Sequence, residues 1–263
     1  PVMAIELADA YLMIGDSQLA QSWFRECASI PKLDTLVPAL ASHAYLGIGK
    51  CCIENGNHAE AIGWIDRSLK VCPDRPDALY SLAVAHEALG RRAEAIAALR
   101  RILDVEEKPL LVSVDVREAR IKAFLRLERL YREAGLGKEA LSLAQEAVNR
   151  LAHRPEIQIM VGQVLFRAGK LMESLHAFEA SLKIVSSGNI DAYVGLCHIY
   201  CAAGRKENAF TTVQSLKGDF ATHARFWALC QRLALESSPA PQSVSAQEIE
   251  SELERMASCY GSN

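Results

Sequence analysis

A chain of 263 residues is longer than a single hydrophobic core usually supports, so either two domains or a repeat array is expected. Half of the residues are apolar, and the formal net charge of −3 argues against a general nucleic-acid-binding protein, which usually carries a basic excess. No apolar run approaches the ~18 residues that a membrane-spanning helix needs. The eight cysteines do not indicate a disulfide framework, because a chain of this size does not need one. We therefore expect reduced thiols and a cytoplasmic protein without a membrane span.

A glycine followed five residues later by a small residue recurs six times along the chain. The intervals between the glycines are 41, 34, 45, 34 and 35 residues. A period near 34 residues is typical of helical repeats, in which each unit packs on its neighbours. Glycine suits the turn because the end of a helix often requires a left-handed residue. The six pairs are Gly15/Ala20, Gly56/Ala61, Gly90/Ala95, Gly135/Ala140, Gly169/Ser174 and Gly204/Ala209.

Helical periodicity and proline positions divide residues 1–218 into six units. In the first unit, Tyr11 and Phe24 lie on the apolar faces of two helices, and Pro31 ends the unit because proline cannot continue a helix. Insertions before the second and fourth units interrupt the period. In the second insertion, Asp115 is predicted to cap the helix that follows. The predicted units are residues 1–34, 42–75, 76–109, 121–154, 155–188 and 190–218.

Three further segments follow the six units. Residues 219–236 are predicted to form a capping helix or half repeat, which an array needs to cover its last apolar face. Residues 237–245 are rich in proline and serine and predict a flexible linker. Residues 246–263 predict an amphipathic helix and tail. This helix either folds back on the array or docks on a partner chain.

The recurring residues resemble those of the tetratricopeptide repeat family over roughly residues 1–218. The family pattern of small residue, aromatic, glycine, alanine and aromatic is matched by Ala8, Tyr11, Gly15, Ala20 and Phe24. The resemblance implies an all-α fold, a right-handed α-solenoid of antiparallel helix pairs. It further implies that the first helix of each pair lines a concave groove, which holds a protein or peptide segment. The chain would then be a non-catalytic interaction scaffold.

The family register predicts which side chains line that groove, and the charges among them indicate the kind of partner. The middle of the groove is basic, with apolar residues between the charges, and arginine can pair with carboxylates through two hydrogen bonds. An acidic protein or peptide segment is therefore the predicted partner. Alternatively, the same charges belong to the solvated face of a long helix. The predicted groove residues are Lys50, Tyr80, Lys122, Arg126, Arg129, Gln163, Arg167 and His198.

The sequence contains no convincing catalytic or metal-binding motif. His86-Glu87 begins like the helical zinc-protease motif, but Gly90 stands where the second histidine is required. Cys197 and Cys201 lie one helical turn apart and offer at most half of a metal site. We therefore expect no enzymatic activity, no metal and no cofactor in this chain.

Two alternatives to a simple scaffold remain open. Residues 40–185 loosely resemble the repeat region that follows the catalytic domain in some bacterial family 2 glycosyltransferases. Under that hypothesis the chain, which begins with Pro1, is part of a larger bacterial enzyme and positions its acceptor or partner. In the other alternative, the terminal helices join copies of the chain into a homo-oligomer.

Overall fold

The computed structural model describes residues 2–106, 115–185, 189–220, 223–233 and 245–260. The regular elements in these ranges are fifteen α-helices, which confirms the all-α fold of antiparallel helix pairs. The predicted linker lies outside the described residues except for its last residue, Ser245. The helices are α1 Val2–Met13, α2 Ser17–Ala28, α3 Leu33–Leu36, α4 Pro38–Glu54, α5 His58–Val71, α6 Pro76–Ala88, α7 Arg92–Asp104, α8 Val116–Glu133, α9 Gly137–Leu151, α10 Pro155–Arg167, α11 Leu171–Ile184, α12 Ile190–Ala202, α13 Lys206–Phe220, α14 Ala224–Leu233 and α15 Ala246–Tyr260.

The chain divides into two compact units, residues 1–130 and residues 131–263. Unit 1 contains α1 to α7 and most of α8, with α4 packed on α2 and α5, and α6 packed on α5 and α7. Unit 2 contains the end of α8 and α9 to α15, with α10 packed on α9 and α11, and α12 packed on α11 and α13. Consecutive helices are therefore neighbours from α4 to α7 in unit 1 and from α9 to α13 in unit 2, as in a repeat array.

The turns within the helix pairs adopt the conformation that the glycine repeat predicts. The six turn glycines have φ between 69° and 84°, a left-handed conformation that side chains with a β-carbon disfavour. Asp115 also caps α8 as predicted, because its Oδ1 accepts hydrogen bonds from the backbone N–H of Arg117 at 2.9 Å and of Glu118 at 3.2 Å. Local sequence signals thus place these helix ends.

Aromatic rings on second helices pack against glycines on first helices. A β-carbon added to Gly47 would lie 2.5 Å from the ring of Phe24. The ring of Phe178 has glycines on two different first helices, since a β-carbon would lie 2.8 Å away at Gly162 on α10 and 2.3 Å away at Gly195 on α12. Both rings are fully buried. The phenylalanine rings therefore fit into the core only because these glycines have no β-carbon.

The last two helices pack within unit 2. Phe226 and Trp227 of α14 belong to the same buried cluster as Val194 and Cys197 of α12. Met256 of α15 joins this cluster, and α15 packs on α14 and α10. The amphipathic last helix is thus folded against its own chain.

Candidate functional site

The predicted groove residues fall into two sets, one in each unit. Unit 1 holds five of them on α4, α6 and α8, and unit 2 holds three on α10 and α12. All eight lie on first helices of the pairs, as the family register requires. The first set is Lys50, Tyr80, Lys122, Arg126 and Arg129, and the second set is Gln163, Arg167 and His198.

In unit 1, two of the predicted arginines share one carboxylate, which belongs to Glu87 of α6. Arg126 Nε donates a short hydrogen bond to Glu87 Oε1, and Arg129 Nη2 donates to Glu87 Oε2 at 2.5 Å. Arg126 also donates to the hydroxyl of Tyr80 at 3.0 Å, and its guanidinium carbon lies 5.2 Å from the centre of that ring. We call Tyr80, Glu87, Arg126 and Arg129 the arginine cluster. Two positive charges against one negative charge leave it net positive.

The electrostatics of Arg126 reflect this arrangement. Burial alone would lower the pKa of Arg126, but its hydrogen bonds to Glu87 and Tyr80 outweigh burial and raise that pKa. Sequence analysis missed Glu87, although a signal existed: Glu87 lies seven residues after Tyr80, which places both residues on one face of α6. The two lysines of the set, Lys50 and Lys122, also lie near acidic side chains. Lys122 Nζ lies 3.8 Å from Glu118 Oε1, and Lys50 helps to lower the pKa of Asp77.

A second polar network in unit 1 centres on Arg75, which sequence analysis also missed. This arginine is 4% exposed, and it donates to Asp77 Oδ1 at 2.8 Å through Nε and to Asp77 Oδ2 at 3.0 Å through Nη2. Arg75 Nη2 also lies 3.1 Å from His43 Nδ1, and His43 Nε2 lies 3.0 Å from Asp9 Oδ2. Arg75 Nη1 donates to the buried Ser42 hydroxyl at 3.4 Å. The network joins α1, α4 and the start of α6.

In unit 2, α15 covers the three predicted groove residues. The ring of Tyr260 stacks on His198 with centroids 4.2 Å apart and an interplanar angle of 12°. Arg167 Nη1 donates to the backbone carbonyl of Cys259 at 2.9 Å, and Gln163 lies beside Tyr260. We call this surface of α10, α12 and α14 the His198 face. In this structure its occupant is the chain's own last helix.

Polar contacts surround this packing. Arg225 of α14 donates to both carboxylate oxygens of Glu252, at 2.8 and 3.2 Å. Arg132 Nη1 donates to the Ser258 hydroxyl at 2.6 Å, and Arg255 Nη2 donates to Asp191 Oδ1 at 2.9 Å. The α15 helix is therefore held by an apolar centre with charged contacts around it.

His198 is the most strongly perturbed titratable group of this face. The side chain is 5% exposed, and burial lowers the pKa of His198 to about 3, with the charge of Arg232 adding to the effect. Its Nε2 atom is buried and has no hydrogen-bond partner among the described residues, and the buried Tyr260 hydroxyl lies beside Gln163. Burial also raises the pKa of Tyr260. Both rings are therefore neutral in the folded chain near neutral pH.

The low pKa of His198 makes the stability of unit 2 depend on pH. The folded state favours the neutral form of His198. The stabilisation of the fold by this neutral side chain is therefore complete above pH 6.5 and is lost as the pH falls from 6.5 toward 3. We expect this loss to reach about 1.4 kcal/mol per pH unit. His198→Phe keeps an aromatic ring against Tyr260 and should remove this dependence. Urea unfolding at pH 7, 6 and 5 measures the difference between the two chains.

The control for this experiment is His176→Phe, because His176 is an exposed histidine on α11 of the same unit. Its unfolding free energy should follow that of the unsubstituted chain at each pH. An equal pH dependence in the His198→Phe and unsubstituted chains would contradict the assignment to His198.

Unit 2 also contains an open cavity of about 530 Å³ next to the turns after α8 and α10. Apolar side chains form most of its wall, and three cationic side chains line it as well. Two of these cations, Arg132 and Arg167, already contact α15. The side chains that characterise the cavity are Arg132, Leu136, Lys138, Leu141, Val164 and Arg167.

Metal and nucleophile chemistry finds little support in the described part of the chain. No cluster of three or more histidine, cysteine or acidic side chains suited to a metal occurs there. Burial raises the pKa of the Cys197 thiol to about 12, so the thiol stays protonated near neutral pH. Among the described helices, none is long and apolar enough to cross a membrane.

Comparison with protein families finds a match within the chain. Residues 40–108, which cover α4 to α7, match a family model described as the tetratricopeptide repeat. A comparison with curated protein sequences finds no match.

Solved structures with similar folds cover more of the chain. The type IV pilus biogenesis factor PilW is 17% identical with a TM-score of 0.59, and the match covers 83% of this chain and 92% of PilW. PilF of Pseudomonas aeruginosa is 13% identical with a TM-score of 0.58, covering 82% of this chain and 89% of the other. YrrB, described as a tetratricopeptide repeat protein with an unusual peptide-binding site, is 18% identical with a TM-score of 0.51, covering 74% and 91%. At these identities the likeness concerns the fold.

Proposed function

We propose that the chain is a non-catalytic scaffold that binds a protein or peptide segment on its first helices, a role supported by the match of residues 40–108 to the tetratricopeptide repeat model. The observation that carries the proposal is the arginine cluster of unit 1. It combines a tyrosine ring with two guanidinium groups that share the carboxylate of Glu87. A structural relative described as having a peptide-binding site supports the same class of function.

The proposed ligand is a segment with acidic side chains. The side chains of Arg126 and Arg129 are 21% and 43% exposed, so a partner can reach both groups. Glu87 is 14% exposed and holds the two guanidiniums side by side, which reduces the entropy lost when they bind a carboxylate. The same carboxylate competes with the partner. The surface is thus organised for an acidic group and partly satisfied in its absence.

Reversing the charge of both arginines tests this proposal. Acidic peptides selected from a displayed library on the full chain should bind the Arg126→Glu/Arg129→Glu variant at least about tenfold more weakly, a change of about 1.4 kcal/mol. The salt dependence of binding should also become smaller, because fewer charge pairs form. Glu87→Gln should strengthen binding, since it removes the competing carboxylate. Fluorescence anisotropy at two salt concentrations measures all three effects.

The matched control is Arg91→Glu/Arg92→Glu, which makes the same change in net charge. Both residues are exposed at the start of α7, a second helix of its pair. This variant should bind the selected peptides with nearly unchanged affinity. If the two double variants weaken binding equally, only the net charge matters and the arginine cluster is not the binding site.

The proposal places the scaffold in a reducing compartment such as the cytoplasm. No disulfide occurs in the described part of the chain, and burial raises the pKa of thiols such as Cys51 and Cys197, which slows their oxidation. The loose resemblance of residues 40–185 to a glycosyltransferase-associated repeat region keeps a larger bacterial enzyme as the alternative setting. The reading frame upstream of Pro1 tests that alternative directly.

A further inference from the structure

The last helix presents a regular stripe of side chains to the His198 face. Glu252, Met256 and Tyr260 are spaced four residues apart, so they lie on one side of α15. Met256 is 3% exposed and Tyr260 is 7% exposed, whereas Glu250 and Glu254 are exposed to solvent. One side of the helix thus makes the contacts and the other side is hydrated.

Each residue of the stripe has a defined partner on the His198 face. Glu252 accepts two hydrogen bonds from Arg225, and Met256 lies in the buried cluster formed with α12 and α14. Tyr260 stacks on His198 and meets Phe166 edge-on, with centroids 5.5 Å apart. The face therefore distinguishes an acid, an unbranched apolar side chain and an aromatic ring in a fixed order.

Two cationic side chains, one on the face and one beside it at the end of α8, also suit the end of a helix. Arg167 donates to the backbone carbonyl of Cys259, and Arg132 donates to the hydroxyl of Ser258. Both contacts lie in the last turn of α15, where backbone carbonyls have no partner within the helix and carry partial negative charge. These contacts thus specify the direction in which the bound helix runs, in addition to the three side chains that it presents.

The packing of α15 differs from that of a central repeat helix such as α12. Helix α12 buries seven side chains or glycines, whereas the described residues of α15 include two buried side chains, Met256 and Tyr260. The fit is also incomplete, because His198 Nε2 is buried and has no hydrogen-bond partner among the described residues. An unsatisfied buried polar atom disfavours the complex that contains it. These features are those of an exchangeable ligand rather than of a core helix.

We propose that the His198 face is a binding surface for an amphipathic helix of another protein that carries an acidic, an unbranched apolar and an aromatic residue at positions i, i+4 and i+8. The α15 helix is the resident occupant of this surface within the same chain. This inference rests on the proposed scaffold function and names the partner of unit 2. A tethered occupant acts at an effective concentration on the order of millimolar, so a partner must outcompete it.

The test uses the full chain and a fluorescent synthetic peptide of residues 246–260. In the Met256→Ala/Tyr260→Ala chain the resident helix loses two contacts of its stripe, so the native peptide should bind at least about tenfold more tightly than to the unsubstituted chain. The matched control chain is Glu250→Ala/Glu254→Ala, which alters the exposed side of the same helix and should behave like the unsubstituted chain. A peptide carrying Met256→Ala and Tyr260→Ala should not bind any of the three chains.

A charge exchange tests the orientation of the bound helix. Adding Arg225→Glu to the Met256→Ala/Tyr260→Ala chain should weaken binding of the native peptide by at least about tenfold, and a peptide with Glu252→Arg should recover most of that loss. A purely structural effect of Arg225→Glu would not be recovered by changing the peptide. Equal binding of native and substituted peptides, or no gain in the Met256→Ala/Tyr260→Ala chain, would overturn the proposal.

Hydrogen exchange of the unsubstituted chain decides the question even if these variants fail to fold. The proposal requires the amides of α15 to exchange through an opening that leaves α12 and α14 protected. Exchange of α15, α12 and α14 in one common event would show that α15 is part of the core. None of these three experiments involves the arginine cluster, so failure here is distinguishable from failure of the acidic-peptide proposal in unit 1.

Discussion

Replacing Phe178 with alanine is expected to lower the free energy of unfolding by about 3–5 kcal/mol. The ring is fully buried and lies against Gly162 on α10 and Gly195 on α12. Neither glycine has a side chain that could move into the vacated space, so most of the cavity should remain. Urea unfolding followed by circular dichroism measures the loss.

The control for this prediction is Phe210→Ala, because Phe210 is 46% exposed on α13. This substitution should change the free energy of unfolding by no more than about 0.5 kcal/mol, as most surface substitutions do. Gly195→Ala should also destabilise the chain, since its β-carbon would lie 2.3 Å from the Phe178 ring. The same substitution should be better tolerated in the Phe178→Ala background. Equal costs for Phe178→Ala and Phe210→Ala would contradict the packing described here.

Arg75→Met is expected to lower the free energy of unfolding by about 3 kcal/mol at pH 7, because it leaves a partly buried carboxylate without its partner. Burial acts to raise the pKa of Asp77, but the hydrogen bonds and charge of Arg75 outweigh burial and lower that pKa. A carboxyl with a lowered pKa stabilises the fold above its unfolded pKa of about 4 and loses this contribution as the pH falls through the folded pKa. The cost of Arg75→Met should therefore shrink at acidic pH.

Urea unfolding at pH 7 and pH 3 tests both parts of this prediction. Arg101→Met is the matched control, since Arg101 is exposed and donates to the backbone carbonyl of Pro73 at 3.0 Å. Its cost should be small and nearly independent of pH. A difference between the Arg75→Met and unsubstituted chains that is as large at pH 3 as at pH 7 would rule out Asp77 as the source of the effect.

Local signals in the sequence predicted the parts of the fold that depend on neighbouring residues. The turn glycines adopt positive φ because each must end a helix, and Asp115 caps α8 because its carboxylate reaches the first backbone N–H groups. These features depend on spacings of a few residues. Periodicity was therefore sufficient to identify the helix pairs.

The pairing of distant side chains could not be predicted in the same way. Glu87 and Arg126 are 39 residues apart, so no spacing of a few residues connects them. Likewise, the amphipathic pattern of residues 246–260 predicts an apolar face but does not specify the surface that this face covers. The structure places that face on His198 and Arg167, which sequence analysis had assigned to a partner.

The position of Phe178 has a consequence for dividing this protein into pieces. The 34-residue period suggests a cut near residue 188, yet the ring on α11 touches a glycine on each side of that point. Such a cut would expose one side of the ring and leave Gly195 facing solvent. The smallest piece expected to fold cooperatively around Phe178 therefore runs from α10 through α12, out of phase with the repeat by half a unit. Deletions and fusions should follow the aromatic contacts rather than the sequence period.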